Sequence, residues 1–180
     1  QTEGQPLPEI ADILEGDLGE GLKSLKEAML QVSPVPVCFQ PIDGETNGFY
    51  SPAAGEIVVD STLSEKQSLK TLIHETAHAL LHNPEASSSQ STRETKEIEA
   101  ESVAYVVCQY FGLDTSDYSF GYIAGWSSGK GTPELKASLE NIRNTSNEII
   151  SNVEQTLIKK ETLEQTVSQI LPEVHRGRCM

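Results

Sequence analysis

Leu72–His82 reads LIHETAHALLH and carries His74, His78 and His82 at successive four-residue steps. The whole chain of 180 residues has only four histidines. Side chains four apart on an α-helix lie about 40° apart around the axis, so His74 and His78 project side by side. Glu75 falls about 100° from His74 and about 60° from His78. Leu69, Leu72, Ile73, Ala77 and Leu80 gather on another side of the same helix. That apolar side predicts a core-facing stripe, which leaves His74, Glu75 and His78 turned toward a cleft.

His74-Glu75-Thr76-Ala77-His78 is an HExxH pattern. Two neutral imidazoles at this spacing hold one Zn²⁺ at about 2.0–2.1 Å each. The carboxylate between them reaches the water at the metal's open position rather than the metal. The metal lowers that water's pKa, and the glutamate takes its proton. A solvated helix face with two chance histidines is the plain alternative. The apolar flanks, a capping residue and strands just upstream argue against it. His82 continues the row, but Leu81 and Pro84 stand where a metzincin carries Gly and His, so that variant is excluded. His82 reads as a histidine of the surface or the cleft rim.

A catalytic zinc takes three protein ligands and keeps one position open. The candidates lie in KEIEAESVAYVVCQYF, which offers Glu97, Glu99 and Glu101. With Glu97 at 0° and about 100° per residue, Glu101, Ala104, Cys108 and Phe111 fall within about 40° of it, and Glu99 falls near 200°. Glu97 and Glu101 therefore share a line that continues as small and apolar residues and faces inward, while Glu99 is expected in solvent. A buried carboxylate must be paired or bind metal. The expected division is Glu97 on the metal, with Glu101 accepting the free ring N–H of a ligating histidine. The swap, with Glu101 on the metal, stays open. Glu94, near the helix start, suits the helix dipole.

The elements around these helices follow from punctuation and period. A helix is predicted over Leu18–Val32 from Leu18, Leu22, Leu25 and Leu30. A short strand at VPVCF follows, then a turn at DGETNG, then strands at FYSP and GEIVVD read as a hairpin. Ser64 or Thr62 caps a helix from about Glu65 to Leu81, closed by Asn83-Pro84. After a Ser-rich loop, Thr92 or Ser91 caps a helix from about Glu94 to Phe111, ended by Gly112. TSDYSFGYIAGWSSGKG suits a short helix, with Trp126 as a packing residue. Pro133 opens a last long amphipathic helix to about Leu171, with a break expected near Ser151. The fold class is α+β, with a helical C-terminal half. Residues 1–17 read as a loose lead-in, 18–171 as one domain with a long helical region at 132–171, and 172–180 as a tail carrying His175.

Formal net charge is −14. Such a surface repels phosphate backbones, so nucleic acid is an unlikely partner for this portion by itself. No run of about 18 apolar residues is present to span a bilayer. Cys38, Cys108 and Cys179 lie far apart, which suits reduced thiols in a cytoplasmic protein rather than a disulfide framework or a cysteine metal site. No segment reads as a signal peptide, and a start at Gln1 rather than Met suits a piece of a longer protein.

With HExxH on one helix and Glu97-x-x-x-Glu101 on the next, the chain resembles gluzincin-type metallopeptidases. More narrowly it resembles the ImmA/IrrE-type metallopeptidases and the C-terminal zincin domain of ArdC-like antirestriction proteins of mobile elements. YSPAAGEIVV, HETAHALLH, EIEAESVAYVV and YIAGW occur here in that order, and the resemblance covers about Val37–Ile150. HExxH alone is moderately specific; the ordered set is much more so. Glu101 stands where some relatives carry Asp or Asn, and the Ser-rich loop is short. The resemblance implies a zincin-like fold with a small sheet, a zinc held between two helices, and cleavage of a repressor or regulator of mobile or stress genes. In the ArdC-like branch the domain follows an N-terminal DNA-binding domain, and this chain shows no such basic domain. As an enzyme it would use Glu75 as the proton acceptor and His74, His78 and Glu97 as zinc ligands. Tyr118, Tyr122 and His82 are candidates for contacts to the oxyanion or substrate, and EIVVD for pairing with an extended peptide. Two other functions remain: a binding or antirestriction module acting by contact through its acidic surface, and a structural zinc site. A complete His-Glu-His-Glu set favours the enzyme, because a binding module has no need of Glu75.

Overall fold

The computed structural model describes Leu14 and residues 16–82, 92–115 and 132–174. These form an α+β fold of four helices and a small three-stranded sheet: α1 (Glu20–Val32), β1 (Val37–Gln40), β2 (Gly48–Ser51), β3 (Glu56–Asp60), α2 (Glu65–Leu81), α3 (Arg93–Tyr110) and α4 (Thr132–Val174). Residues 116–131, which hold Tyr118, Tyr122 and Trp126, lie outside the described residues, as do His175 and Cys179.

β2 and β3 pair antiparallel, with Phe49 opposite Val58, as the hairpin reading expects. β1 does not extend that hairpin on the β2 side. It pairs parallel with β3, Cys38 opposite Val58, so the order is β1-β3-β2. EIVVD is thus the central strand, with Ile57, Val58 and Val59 buried. Both its edges are filled by neighbouring strands, so the expectation that it could receive a peptide is corrected. β2 is the edge strand nearer α2. Gly48 makes that approach possible: a Cβ there would stand 2.7 Å from Thr71 Cγ2 and 2.7 Å from the Val58 carbonyl oxygen.

α2 begins where Ser64 Oγ accepts from the Gln67 N–H. Thr62, the other capping candidate, instead donates to Asp60 in the turn after β3. Likewise Thr92, not Ser91, caps α3 by accepting from the Thr95 N–H. Leu69, Leu72, Ile73 and Ala77 of α2 are fully buried. α3 meets α2 through small residues: Ala100, Ala104 and Cys108 are fully buried on it. Small side chains let two helix backbones come close, which brings carboxylates of one within reach of imidazoles of the other.

α4 packs on α1 and on the far side of α3. It is one continuous helix of 43 residues, with no break at Ser151. Ser138, Ile142, Thr145, Ser146, Ile149 and Val153 form its buried stripe at helical spacing. The hydroxyl residues Thr145 and Ser146 therefore sit in the seam rather than interrupting it. On α1, Ala28 and Met29 are buried while Leu30 is exposed, contrary to its expected place on the apolar face. The lead-in is not loose over its whole length either. The Leu14 N–H donates to Gln67 Oε1 at 3.2 Å, tying it to the start of α2, where the Leu18 N–H just beyond the lead-in also donates to Glu65 Oε2 at 2.7 Å.

Candidate metal centre

α2 and α3 run side by side at the floor of a cleft of about 580 Å³. His74 Nε2 and His78 Nε2 lie 3.1 Å apart. Glu97 Oε2 is 3.4 Å from His78 Nε2 and 3.7 Å from His74 Nε2. Ligand atoms arranged tetrahedrally about one ion at about 2.0–2.1 Å are about 3.3 Å from one another. The triangle of 3.1, 3.4 and 3.7 Å fits that spacing, and its two imidazoles and one carboxylate suit zinc. Among the described residues this is the one group of three that could hold a metal ion.

The other nitrogen of His74 is accounted for. His74 Nδ1 lies 3.1 Å from Glu101 Oε2, so Nδ1–H donates there and Nε2 is the atom that faces His78 and Glu97. Glu101 is buried and also accepts from Lys70 Nζ at 2.8 Å. Glu97 is different: 45% of its side chain is exposed, at the cleft surface. Of the two carboxylates weighed for the metal, Glu97 faces both Nε2 atoms, and Glu101 faces the back of one ring.

The electrostatics match. The His74 and then the His78 ring, 3.7 and 3.4 Å away, hold the Glu97 carboxyl far below the usual range. Burial opposes a charge on Glu101, but the His74 hydrogen bond and the Lys70 ammonium outweigh it and bring its pKa to about 2. Burial likewise disfavours protonated His74, yet the hydrogen bond to Glu101 and the nearby Glu97 carboxylate raise it to about 9. This is a site that attracts positive charge, whether a proton or a cation.

The peptidase M78 family model, described as the IrrE N-terminal-like domain, matches residues 31–124. The chain belongs to this family. An uncharacterized protein of Bacillus anthracis is 34% identical to this M78 domain over 119 residues, which is 63% of the present chain and 20% of the relative. The chain thus spans about a fifth of the length of that curated relative. No solved structure matches it significantly.

Glu75 lies beside the M78 domain's histidine pair on the cleft floor, 7% exposed. Burial raises its pKa, opposed by His74, His78 and the backbone N–H of Tyr50 on β2. A carboxyl pushed up in this way is a stronger base than one in water. β2 and the loop before it line the cleft through Asn47, Gly48, Phe49 and Tyr50, and α3 lines it through Arg93, Lys96, Glu97 and Glu101.

His82 is not a surface histidine. It is buried at one end of the cleft, its ring 5.3 Å from that of His78. Its Nε2–H donates to the Lys96 carbonyl at 3.1 Å, so that nitrogen serves α3 and not an oxyanion. Burial and the neighbouring His78 lower its pKa to about 4, and it is neutral at pH 7. Glu99, expected in solvent, is buried as well. Its Oε2 is 3.9 Å from His82 Nε2, and its Oε1 accepts from Asn141 Nδ2 of α4 at 3.3 Å. The wheel placed Glu99 correctly opposite Glu97; what it lacked was α4, which covers that opposite face. Tyr118 and Tyr122 lie outside the described residues.

Two participants escaped the sequence reading. Lys70 is buried, where burial lowers its pKa and Glu101 opposes that, and lysine in a helix is ordinarily read as solvated. Its place one turn before His74, on the row that meets Glu101, is the signal that could have found it. Gly48 was read as part of a turn, although its role is to let β2 lie against α2.

Proposed function

We propose that this domain is a zinc-dependent endopeptidase. His74, His78 and Glu97 hold the metal, Glu75 is the general base, and Glu101 fixes the ring of His74. The observation that carries this reading is the triangle of Nε2, Nε2 and Oε2 atoms at 3.1–3.7 Å, with Glu75 on the same cleft floor. Membership of a peptidase family supports it.

A zinc ion held there would supply an acidified water and a polarised scissile carbonyl. The protein's own groups do the rest. Glu75 takes the proton of the attacking water, its basicity raised by burial, and later hands that proton to the leaving amine. Glu101 keeps His74 in the tautomer whose Nε2 lone pair points into the site. The substrate is an extended peptide lying along β2, the edge strand that walls the cleft, so main-chain pairing positions it above Glu75. Arg93 and Lys96 in the cleft lining favour an acidic side chain on the peptide.

The finer reading is a protease of a cytoplasmic regulatory protein, encoded on a mobile element. The ordered motifs shared with ArdC-like and ImmA/IrrE-type proteins support it. The deciding experiment is Glu75→Gln, assayed for bound zinc and for cleavage of a peptide library. The variant is expected to keep about one zinc per chain and lose cleavage by at least about a hundredfold. Zinc-loaded wild type with no cleavage, indistinguishable from Glu75→Gln in every assay, would move the assignment to a module that acts by contact, for example against a restriction enzyme.

A further inference from the structure

The cleft accounts for the histidines, Glu75, Glu97 and Glu101, but not for Lys70. This lysine stands one turn before His74 with its side chain 4% exposed. An ammonium is costly to bury, and lysine on a helix normally straightens to reach water. Here it stays inside, its Nζ 2.8 Å from Glu101 Oε2. That same oxygen accepts from His74 Nδ1–H at 3.1 Å. Two donors on successive turns of α2 thus converge on one carboxylate oxygen from α3 and hold it behind the ring of His74. Glu97, one turn earlier on α3, has no such restraint and faces the two Nε2 atoms.

We propose that Lys70 is a positioning residue of the metal site. It locks Glu101 against Nδ1 of His74, fixes that ring with Nε2 toward His78 and Glu97, and keeps Glu101 from competing with Glu97 as a ligand. Sequence spacing favours Glu97 but leaves the swap open, and the buried ammonium is what makes the two glutamates unequal. A charge balance supports the same role. Three carboxylates, Glu75, Glu97 and Glu101, border the histidine pair, and Lys70 is the buried cation among the residues lining the cleft. Removing one member of a buried ion pair leaves the other uncompensated, so Glu101 would turn toward the nearest remaining positive charge, the metal.

The inference rests on the metal-site reading above, and its test separates the two. Zn²⁺ affinity is measured by competition with a chromophoric chelator for wild type, Lys70→Met, Glu101→Gln and the double variant. Co²⁺ absorption reports ligand geometry, and circular dichroism of the metal-free forms reports folding. Lys70→Met is expected to weaken Zn²⁺ binding about 10–100-fold and to alter the Co²⁺ band. In the Glu101→Gln background the same change is expected to matter less than about twofold, because Lys70 acts through Glu101. Should Lys70→Met fail to fold, Lys70→Gln, which keeps a donor without the charge, takes its place in the same cycle. Equal effects in both backgrounds, or none in either, overturn the positioning role and leave the metal site standing. A folded wild type that binds no Zn²⁺ overturns both.

Discussion

Gly48 shows how much can depend on one missing methyl group. Its Cβ position is occupied from two sides, by Thr71 Cγ2 and by the Val58 carbonyl oxygen. A side chain can give way, but the backbone of the central strand cannot do so cheaply. Gly48→Ala is expected to cost about 1–3 kcal/mol in urea unfolding. Adding Thr71→Ser should recover only part of this, since the carbonyl contact remains; full recovery would show that the strand is not held as described. Cys108 makes a different point about the same interior. Burial pushes its thiol up to about 12, with Lys70 opposing and Glu101 reinforcing the rise. A raised thiol pKa means that the reactive thiolate is scarce at every pH below that value. Folded protein at pH 7–9 should therefore label at exposed Cys38 and spare Cys108, as mass spectrometry after iodoacetamide treatment would reveal. Labelling of Cys108 that climbs with pH as fast as that of Cys38 would contradict its burial.

At the scale of the element, the two metal helices were the most legible part of the chain. Each announces itself with a hydroxyl cap, a long 3.6-residue period and a stop signal, and each lies within a residue of its expected bounds. The inward line Glu97–Glu101–Ala104–Cys108 could also be drawn on a wheel, because it depends on one helix alone. What failed depended on a second element. The pairing of β1 with β3 is invisible to a reading that joins neighbours, since a hairpin signal says nothing about the strand beyond it. Glu99 and His82 looked solvated because no residue near them in sequence names their cover. The break expected near Ser151 is absent, and Thr145 and Ser146 just before it lie in a close helix seam that takes small hydroxyl residues without strain. That seam yields a prediction of its own. Ile149→Ala should cost about 2–5 kcal/mol in urea unfolding, since its side chain is buried. Ile158→Ala, on the same helix but mostly exposed, should stay within about 0.5 kcal/mol. Equal costs would mean that α4 packs differently.

For the molecule as a whole, the metal reading turns binding into stability. His74 and His78 sit on α2 and Glu97 on α3, so one ion would bridge two helices that residues 82–92 separate in sequence. A ligand present at about 100 times its Kd adds about 2.7 kcal/mol to the folded state. For a chain of this length that corresponds to about 5–10 °C in Tm. A chelator should lower the melting temperature of wild type by that amount and leave a His74→Ala/His78→Ala variant where it was; an equal drop in both would place the effect elsewhere. The net charge of −14 extends into the cleft, where Glu45, Glu75, Glu97 and Glu101 stand among the lining residues with Lys70, Arg93 and Lys96. Lastly, α4 ties this body to a length of helix that lies outside it. Among the described residues its last tie to the body is the ion pair between Lys160 and Glu27 at 2.6 Å, and residues 161–168 are all exposed. Backbone hydrogen bonds make it a single helix, but its inner turns can unwind only when the core opens, whereas its outer turns fray alone. Amide protons along this one rod therefore belong to two populations, one exchanging with solvent through global unfolding and the other through local opening.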